Sequence, residues 1–347
     1  MREPSAELII DIDIIRNNII YLKSLLKTDT KFMAILKANA YGHGLDIITK
    51  SIDDLVDGYG LVRLEEATIV RKYTSKKILL MQGVYSKDDF KIAYDNKFDL
   101  VVHNKNQLFA FENSDINIWL KVNTGMNRLG IALDELDKFQ SLLKDSNVLM
   151  THLACADNPA DDLNNTQFKN FDYAWNQVAN DIQRSILNSA GVFNFPDQAY
   201  DWVRPGIAMY GGIAFPGLKT AMTFRSQIIS IQSLDQNERI GYGGRVKTSK
   251  PSKIAIVYCG YADGFPQTAI DGTSVIVNSH KSKIIGRVSM DLISIDVTEI
   301  PDCKIGDWCE LWSPDLSILE NAKKNNLISY ELMTKMSQRV KRQYLNV

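Results

Sequence analysis

The sequence predicts an α/β protein: a (β/α)8 TIM barrel followed by a C-terminal, mostly antiparallel β domain. Three observations lead there. Over the first ~220 residues, eight strand-like runs alternate with helical stretches, the pattern of a barrel at the compact end of its size range. The first barrel strand is followed by Lys37, and Gly42 and Gly44 lack the spacing of the Gly-rich phosphate turn that an open doubly wound sheet carries there. After about Ala221, short strand-like runs separated by turn residues replace the helical periodicity. The domains are therefore drawn at residues 1–223 and 224–347, with the first few residues left open to pack with the second.

Apolar runs of four to eight residues bounded by turn residues read as buried strands, and spacing near 3.6 reads as helix. Ile9 to Ile12 is a short strand, and a helical stretch follows Asp13 from Ile14 to Leu26. Barrel strand one is Phe32 to Leu36, with a helix from Leu45 to Leu55. Tyr59 to Val62 is strand two, and the helix Leu64 to Tyr73 carries Glu65 and Glu66 in its first turn, where acidic residues suit the helix dipole. Strand three is Lys77 to Met81 with a helix Lys87 to Asn96; strand four is Phe98 to Val102 with a helix Lys105 to Phe111. Strand five, Ile116 to Val122, precedes a helix Leu133 to Leu143, and strand six, Val148 to Ala154, precedes a long helix Asn164 to Ile182. Ser185 to Leu187 and Val203 to Tyr210 complete the eight. In the β domain the runs are Ser226–Ser233, Ser252–Tyr258, Ser274–Val277, Lys283–Val288, Ile293–Val297 and Trp308–Leu311, with helical periodicity returning near the C-terminus.

At 347 residues, two domains are the expectation. A formal net charge of -1 speaks against a nucleic-acid or polyanion partner. No apolar run approaches the ~20 residues that span a bilayer. The opening Met1-Arg2-Glu3-Pro4 is not a signal peptide, and Cys155, Cys259, Cys303 and Cys309 lack metal-ligand spacing. A cytoplasmic protein with free thiols and no metal is expected.

In a barrel, chemistry gathers at the carboxyl ends of the strands. The residues there are unusual. Strand one ends in Lys37, and a lysine closing a buried strand is costly unless it has a task, such as forming an imine with an aldehyde cofactor. Strand five is followed by Asn123-Thr124-Gly125-Met126-Asn127-Arg128. Strand six carries Thr151-His152, strand seven ends in Asn188-Ser189, and strand eight contains Arg204-Pro205-Gly206-Ile207. Ser189 and the Gly206–Ile207 backbone sit where this fold commonly binds phosphate. Singly, each has a structural explanation: a surface ion pair for Arg128, a satisfied core imidazole for His152, a helix cap for Ser189. Together they place cations and a phosphate cradle on one face.

The string Ala34-Ile35-Leu36-Lys37-Ala38-Asn39-Ala40-Tyr41-Gly42-His43-Gly44 closely resembles the pyridoxal-phosphate lysine motif of the alanine racemase family. The resemblance runs through nearly the whole chain. Leu120 to Gly130 is similar to the family's arginine motif, Thr151-His152-Leu153-Ala154 to its histidine motif, and Arg204-Pro205-Gly206-Ile207 to its pyridine-side arginine motif. In the β domain, Gly260-Tyr261-Ala262-Asp263-Gly264 resembles the catalytic tyrosine motif, Gly286 to Asp291 the substrate loop, and Ser329-Tyr330-Glu331 the C-terminal tyrosine motif. Three positions depart from common family residues: Asn123 for Asp, Ser289 for Cys, Lys341 for Pro.

The resemblance implies interconversion of L- and D-alanine on an imine with pyridoxal 5'-phosphate, by two bases, supplying D-alanine for peptidoglycan. Lys37 and Tyr261 would be the bases. Lys37, Tyr41, His152, Ser189, Arg204, Gly206, Ile207 and Tyr330 would hold the cofactor, Arg128 and Met290 the substrate, with Lys121 and Asp291 in support. In some relatives the lysine at the place of Lys121 is carbamylated. A homodimer sharing its active sites between chains is implied as well. Three other readings compete. A same-fold decarboxylase would carry a Cys and a Gly-rich phosphate loop, neither found in this order, and a barrel-only pyridoxal-phosphate carrier would lack Tyr261 and Tyr330. A racemase of other or larger amino acids would differ only in a few pocket side chains.

Overall fold

A computed structural model describes residues 5–110, 115–178 and 182–347 of the chain. They divide into two compact units, one of Arg16–Ala40 and Leu45–Met209, the other of Met1–Ile15, Tyr41–Gly44 and Tyr210–Val347. After β1 (Ala6–Asp11), eight strands close a parallel barrel: β2 (Lys31–Ile35), β3 (Gly58–Leu61), β4 (Lys77–Leu80), β5 (Asp99–Val102), β6 (Ile118–Lys121), β7 (Val148–Met150), β8 (Gln183–Ser185) and β9 (Trp202–Val203). β3, β5, β6 and β7 are buried at every position, as strands covered on both faces must be.

The second unit is built on β10 (Met222–Leu234), with β11 (Arg239–Ile240), β12 (Val246–Lys247), β13 (Ser252–Val257), β14 (Ser274–Val277), β15 (His280–Lys283), β16 (Ile293–Asp296), β17 (Trp308–Trp312) and β18 (Lys341–Leu345). Its main sheet runs β15-β14-β17-β10-β1-β18, while β13 pairs with β10 and β16. Every pairing is antiparallel except β1 with β18. Among the described residues, no helix is long and apolar enough to cross a membrane.

Several elements differ from the sequence expectation. The run Lys283–Val288 is not a strand; the strand is His280–Lys283, paired with β14 through a two-residue turn. Asn278 and Ser279 supply that turn with φ of 49° and 64°, as a tight hairpin demands. The polar, mostly exposed His-Lys-Ser-Lys sequence carries no alternation to announce it. β18 is likewise polar and lies where the sequence predicts helical periodicity. The stretches Leu133–Leu142 and Lys105–Ala110 form 3-10 turns rather than α-helices, and Phe111 lies outside the described residues. The long helix spans Asp162–Gln177, and residues 179–181 of its expected extent also lie outside. Strand eight is only Trp202–Val203; the chain then turns at Arg204-Pro205-Gly206.

Directly after Lys37 the backbone does something costly. Ala38, Asn39, Ala40 and Tyr41 all take left-handed φ values of 56°, 55°, 52° and 52°. Each such residue costs roughly 1–2 kcal/mol for an L-amino acid. Short side chains at three of the four limit the clash, and Asn tolerates this region well. Hydrogen bonds hold the turn: Asn39 N–H donates to Glu66 Oε1 (2.8 Å), Leu45 N–H to Asn39 Oδ1 (2.8 Å), and Ala40 N–H to Leu36 O (2.8 Å). Gly42 follows at φ 82°, where a Cβ would lie 2.1 Å from the Met333 carbonyl oxygen.

At the opposite, N-terminal end of the barrel, Asp99 joins three strands. Its carboxylate accepts from Lys77 Nζ (3.1 Å), Trp119 Nε1 (3.0 Å) and Asn117 Nδ2 (3.3 Å), and it is almost fully buried. Asp99→Ala leaves the buried indole N–H without an acceptor. It is expected to cost about 1–3 kcal/mol in equilibrium denaturation. Asp99→Asn keeps an acceptor and should lose less.

Candidate active site

The carboxyl end of the barrel concentrates positive charge. Lys37 follows β2, Lys121 closes β6, His152 follows β7 and Arg204 follows β9. Burial, then Arg128, lowers the Lys37 pKa. Burial, then Arg204, Arg128 and Lys37, brings Lys121 down to about 8. Burial and the same cations hold His152 well below its ordinary value, so the imidazole is neutral at pH 7. No carboxylate contributes to any of these shifts. The Lys121 ammonium makes no hydrogen bond or ion pair among the described residues, although its carbonyl accepts from Ile131 N–H (2.8 Å). Such a cluster calls for anionic ligands.

Arg204 is the deepest member, 2% exposed and brought down to about 9 by burial alone. One terminal nitrogen donates to Ser185 Oγ and the other to the Thr151 carbonyl. Ser185 in turn donates to Trp202 O (2.7 Å), and Thr151 Oγ1 meets Val122 O (3.0 Å) and Thr124 Oγ1 (2.8 Å). Arg204 Nε is buried without a partner among the described residues. One fixed N–H, facing no carboxylate, fits a neutral aromatic nitrogen such as that of a pyridine ring. Ser185 was not singled out from sequence, and Thr151 appeared only as the neighbour of His152. A small hydroxyl residue ending a barrel strand was the available signal.

Ser189 and the turn after β9 come together as expected. Ser189 Oγ accepts from Gly206 N–H (2.9 Å) and Ala208 N–H (3.3 Å), which leaves its own proton to donate. Asn188 caps the helix Ser189–Asn194 through Gly191 N–H (3.0 Å) and approaches His152 Nε2 (3.5 Å). The Arg128 loop is shaped by Asn123, whose Oδ1 accepts from Gly125 N–H (3.2 Å) and Asn127 N–H (3.0 Å). An aspartate could accept both bonds. Only the bond from Asn123 Nδ2 to Asn127 Oδ1 (3.0 Å) needs the amide.

In the other unit, Tyr41 packs against Tyr330 and Tyr210, with ring centroids 6.1 and 5.1 Å apart. Burial, then Tyr330, raises the Tyr41 pKa, so its hydroxyl stays a donor. Tyr261 and Met290 stand exposed on adjoining loops. Tyr261 N–H donates to Ser289 O (3.0 Å) and Ala262 N–H to Met290 O (3.0 Å). The Met290 N–H has no partner among the described residues and is available to a ligand. Ser289 meets the Tyr261 loop through its backbone carbonyl. Asp291 accepts from Arg339 (2.6 Å), which no sequence motif marks.

The family model "Alanine racemase, N-terminal domain" matches residues 10–214, and "Alanine racemase, C-terminal domain" matches residues 221–344. The chain is 39% identical over 336 residues to an alanine racemase of Mannheimia succiniciproducens, covering 91% of this chain and 93% of that one. It superposes on the biosynthetic alanine racemase of Pseudomonas aeruginosa with a TM-score of 0.94 at 35% identity, over 99% of both chains. The alanine racemase of Bartonella henselae, solved with covalently bound pyridoxal phosphate, gives 0.92 at 27% identity, over 98% and 99%.

The cation cluster makes stability depend on pH in a defined way. Folded Lys121 sheds its proton at about 8; unfolded, it does so near 10.4. Between those values the unfolded chain binds the extra proton, so the ligand-free protein should gain stability as pH rises through the window. Lys121→Met is expected to flatten that rise in denaturation midpoints measured from pH 8 to 10.

Proposed function

We infer from this chain, which belongs to the alanine racemase family, that Lys37 and Tyr261 exchange the substrate α-proton on opposite faces as it interconverts L- and D-alanine. The general role of the family is to supply D-alanine for peptidoglycan. The observation that carries the assignment is Arg204: a buried guanidinium with one unused N–H, in a cluster of cations, close enough to Lys121 to lower its pKa. Pyridoxal 5'-phosphate, when bound, supplies an electron sink that acidifies the substrate α-carbon.

The protein's own residues do the rest. Its lowered pKa gives Lys37 a share of neutral amine, which would hold an aldehyde cofactor and, once the substrate amine has taken its place, serve as a base. Arg204 would offer its unpartnered Nε–H to the pyridine nitrogen without giving the proton up. Reprotonation is thereby directed to the substrate carbon. Ser189 Oγ, the Gly206–Ile207 backbone, Tyr41 and Tyr330 would hold the phosphate, and His152 stays neutral beside the cluster. Arg128 and the Met290 N–H receive the substrate carboxylate, a planar anion matched to a guanidinium fork. Lys121 adds to the positive charge around Arg128, and Asp291 holds the Met290 loop through Arg339.

The same reading makes the enzyme a homodimer in which Tyr261 of each chain serves the barrel of the other. Such an isologous pair makes two identical composite sites. A cytoplasmic location suits four cysteines without a disulfide. Lys37→Ala and Tyr261→Ala should each be nearly inactive alone. Mixed under proven subunit exchange, about a quarter of wild-type activity should return, because one site of each mixed dimer collects neither defect. No recovery would place Tyr261 in its own chain's site or outside the chemistry.

A further inference from the structure

The loops carrying Tyr261 and Met290 are joined by more than their backbone pairing. Gly260 approaches the second loop so closely that a Cβ would lie 2.3 Å from Ser289 O. Asp263, almost fully buried, closes the Tyr261 turn by accepting from Gly260 N–H (2.8 Å). Arg339 then grips Asp263 with two bonds, Nε to Oδ1 (2.7 Å) and a terminal nitrogen to Oδ2 (3.0 Å). The same terminal nitrogen reaches Asp291 Oδ1 (2.6 Å). One guanidinium thus holds the carboxylate two positions after Tyr261 and the carboxylate immediately after Met290. The far end of the Met290 loop is pinned separately, by Gly286 N–H on Asp271 (2.6 Å).

We propose that Arg339 is a positioning residue for racemisation, setting the Tyr261 hydroxyl and the Met290 N–H at a fixed separation. The inference rests on the assignment of those two groups above. Arg339 is 48% exposed, so its ion pairs contribute little to global stability. Geometry is different: a displacement of about 1 Å at a reacting group costs on the order of 100-fold in rate. The clasp also borders a recess of about 570 Å³ lined by Ser5, Tyr258 and Lys341, so shortening Arg339 opens no void in a packed core. A lysine reaches one carboxylate but lacks the fork that grips Asp263 and touches Asp291 together.

The test compares holoenzymes carrying R339A, R339K, Y261F and R339A/Y261F. R339A should lower kcat/KM about tenfold, a fraction of a full ångström's displacement, with R339K between it and wild type. Enantiomers have equal free energies, so kcat/KM must fall equally in both directions. The primary isotope effects with Cα-deuterated L- and D-alanine are not so bound. R339A should raise that effect for the enantiomer whose proton Tyr261 removes, and leave the other unchanged or lower. A purely structural role would change folded fraction and move neither isotope effect. In the Y261F background, R339A should add little. Wild-type kcat/KM and isotope effects in R339A, with Y261F inactive, overturn the role of Arg339 and leave Tyr261 in place. An active Y261F overturns the underlying assignment instead. If R339A does not fold, R339K must show the same direction-specific isotope effect, and its absence refutes the proposal.

Discussion

Among the described residues, the barrel's carboxyl end gathers cations whose proton affinities no carboxylate raises, and most of the site follows from that. Neutral oxygens solvate Arg204 without discharging it: the Thr151 carbonyl and the Ser185 hydroxyl take two of its nitrogens and leave the charge in place. Lys37 lies close enough to Lys121 to lower its affinity for protons, and His152 gives up its charge altogether. Burying like charges costs free energy unless an anion enters. Phosphate and substrate carboxylate are such anions. The protein therefore meets its ligands with its electrostatic cost already incurred in folding, and binding relieves it.

The barrel was legible because its strands are buried on both faces, so Phe32 to Ile35 and Leu100 to Val102 read as unbroken apolar runs. The polar strands were not legible for the complementary reason. His280–Lys283 is an outer strand of its sheet and mostly exposed, and β18 is paired through its backbone with little apolar content to betray it. The 3-10 turns at Leu133–Leu142 and Lys105–Ala110 have helical spacing that periodicity cannot tell from α.

At the site, the motifs gave side chains such as Lys37 and Arg204 but not what holds them. Ser185 and Asp263 act on Arg204 and Gly260 through three-dimensional proximity that no spacing reveals. The Met290 N–H is a backbone group and has no letter of its own. The departures at Asn123 and Ser289 become intelligible only with coordinates. The first keeps the acceptor that shapes its loop, and the second contributes its main chain.

The four left-handed residues after Lys37 form a short mirror-image segment within a chain of L-amino acids. The steric objection to that turn comes entirely from the chirality of the residues in it. Exposed Ala38 makes the point most simply. At that position the opposite enantiomer would relax the backbone rather than strain it. A chain assembled by chemical ligation with D-alanine at residue 38 would carry, in its own covalent structure, the isomer that the finished enzyme makes.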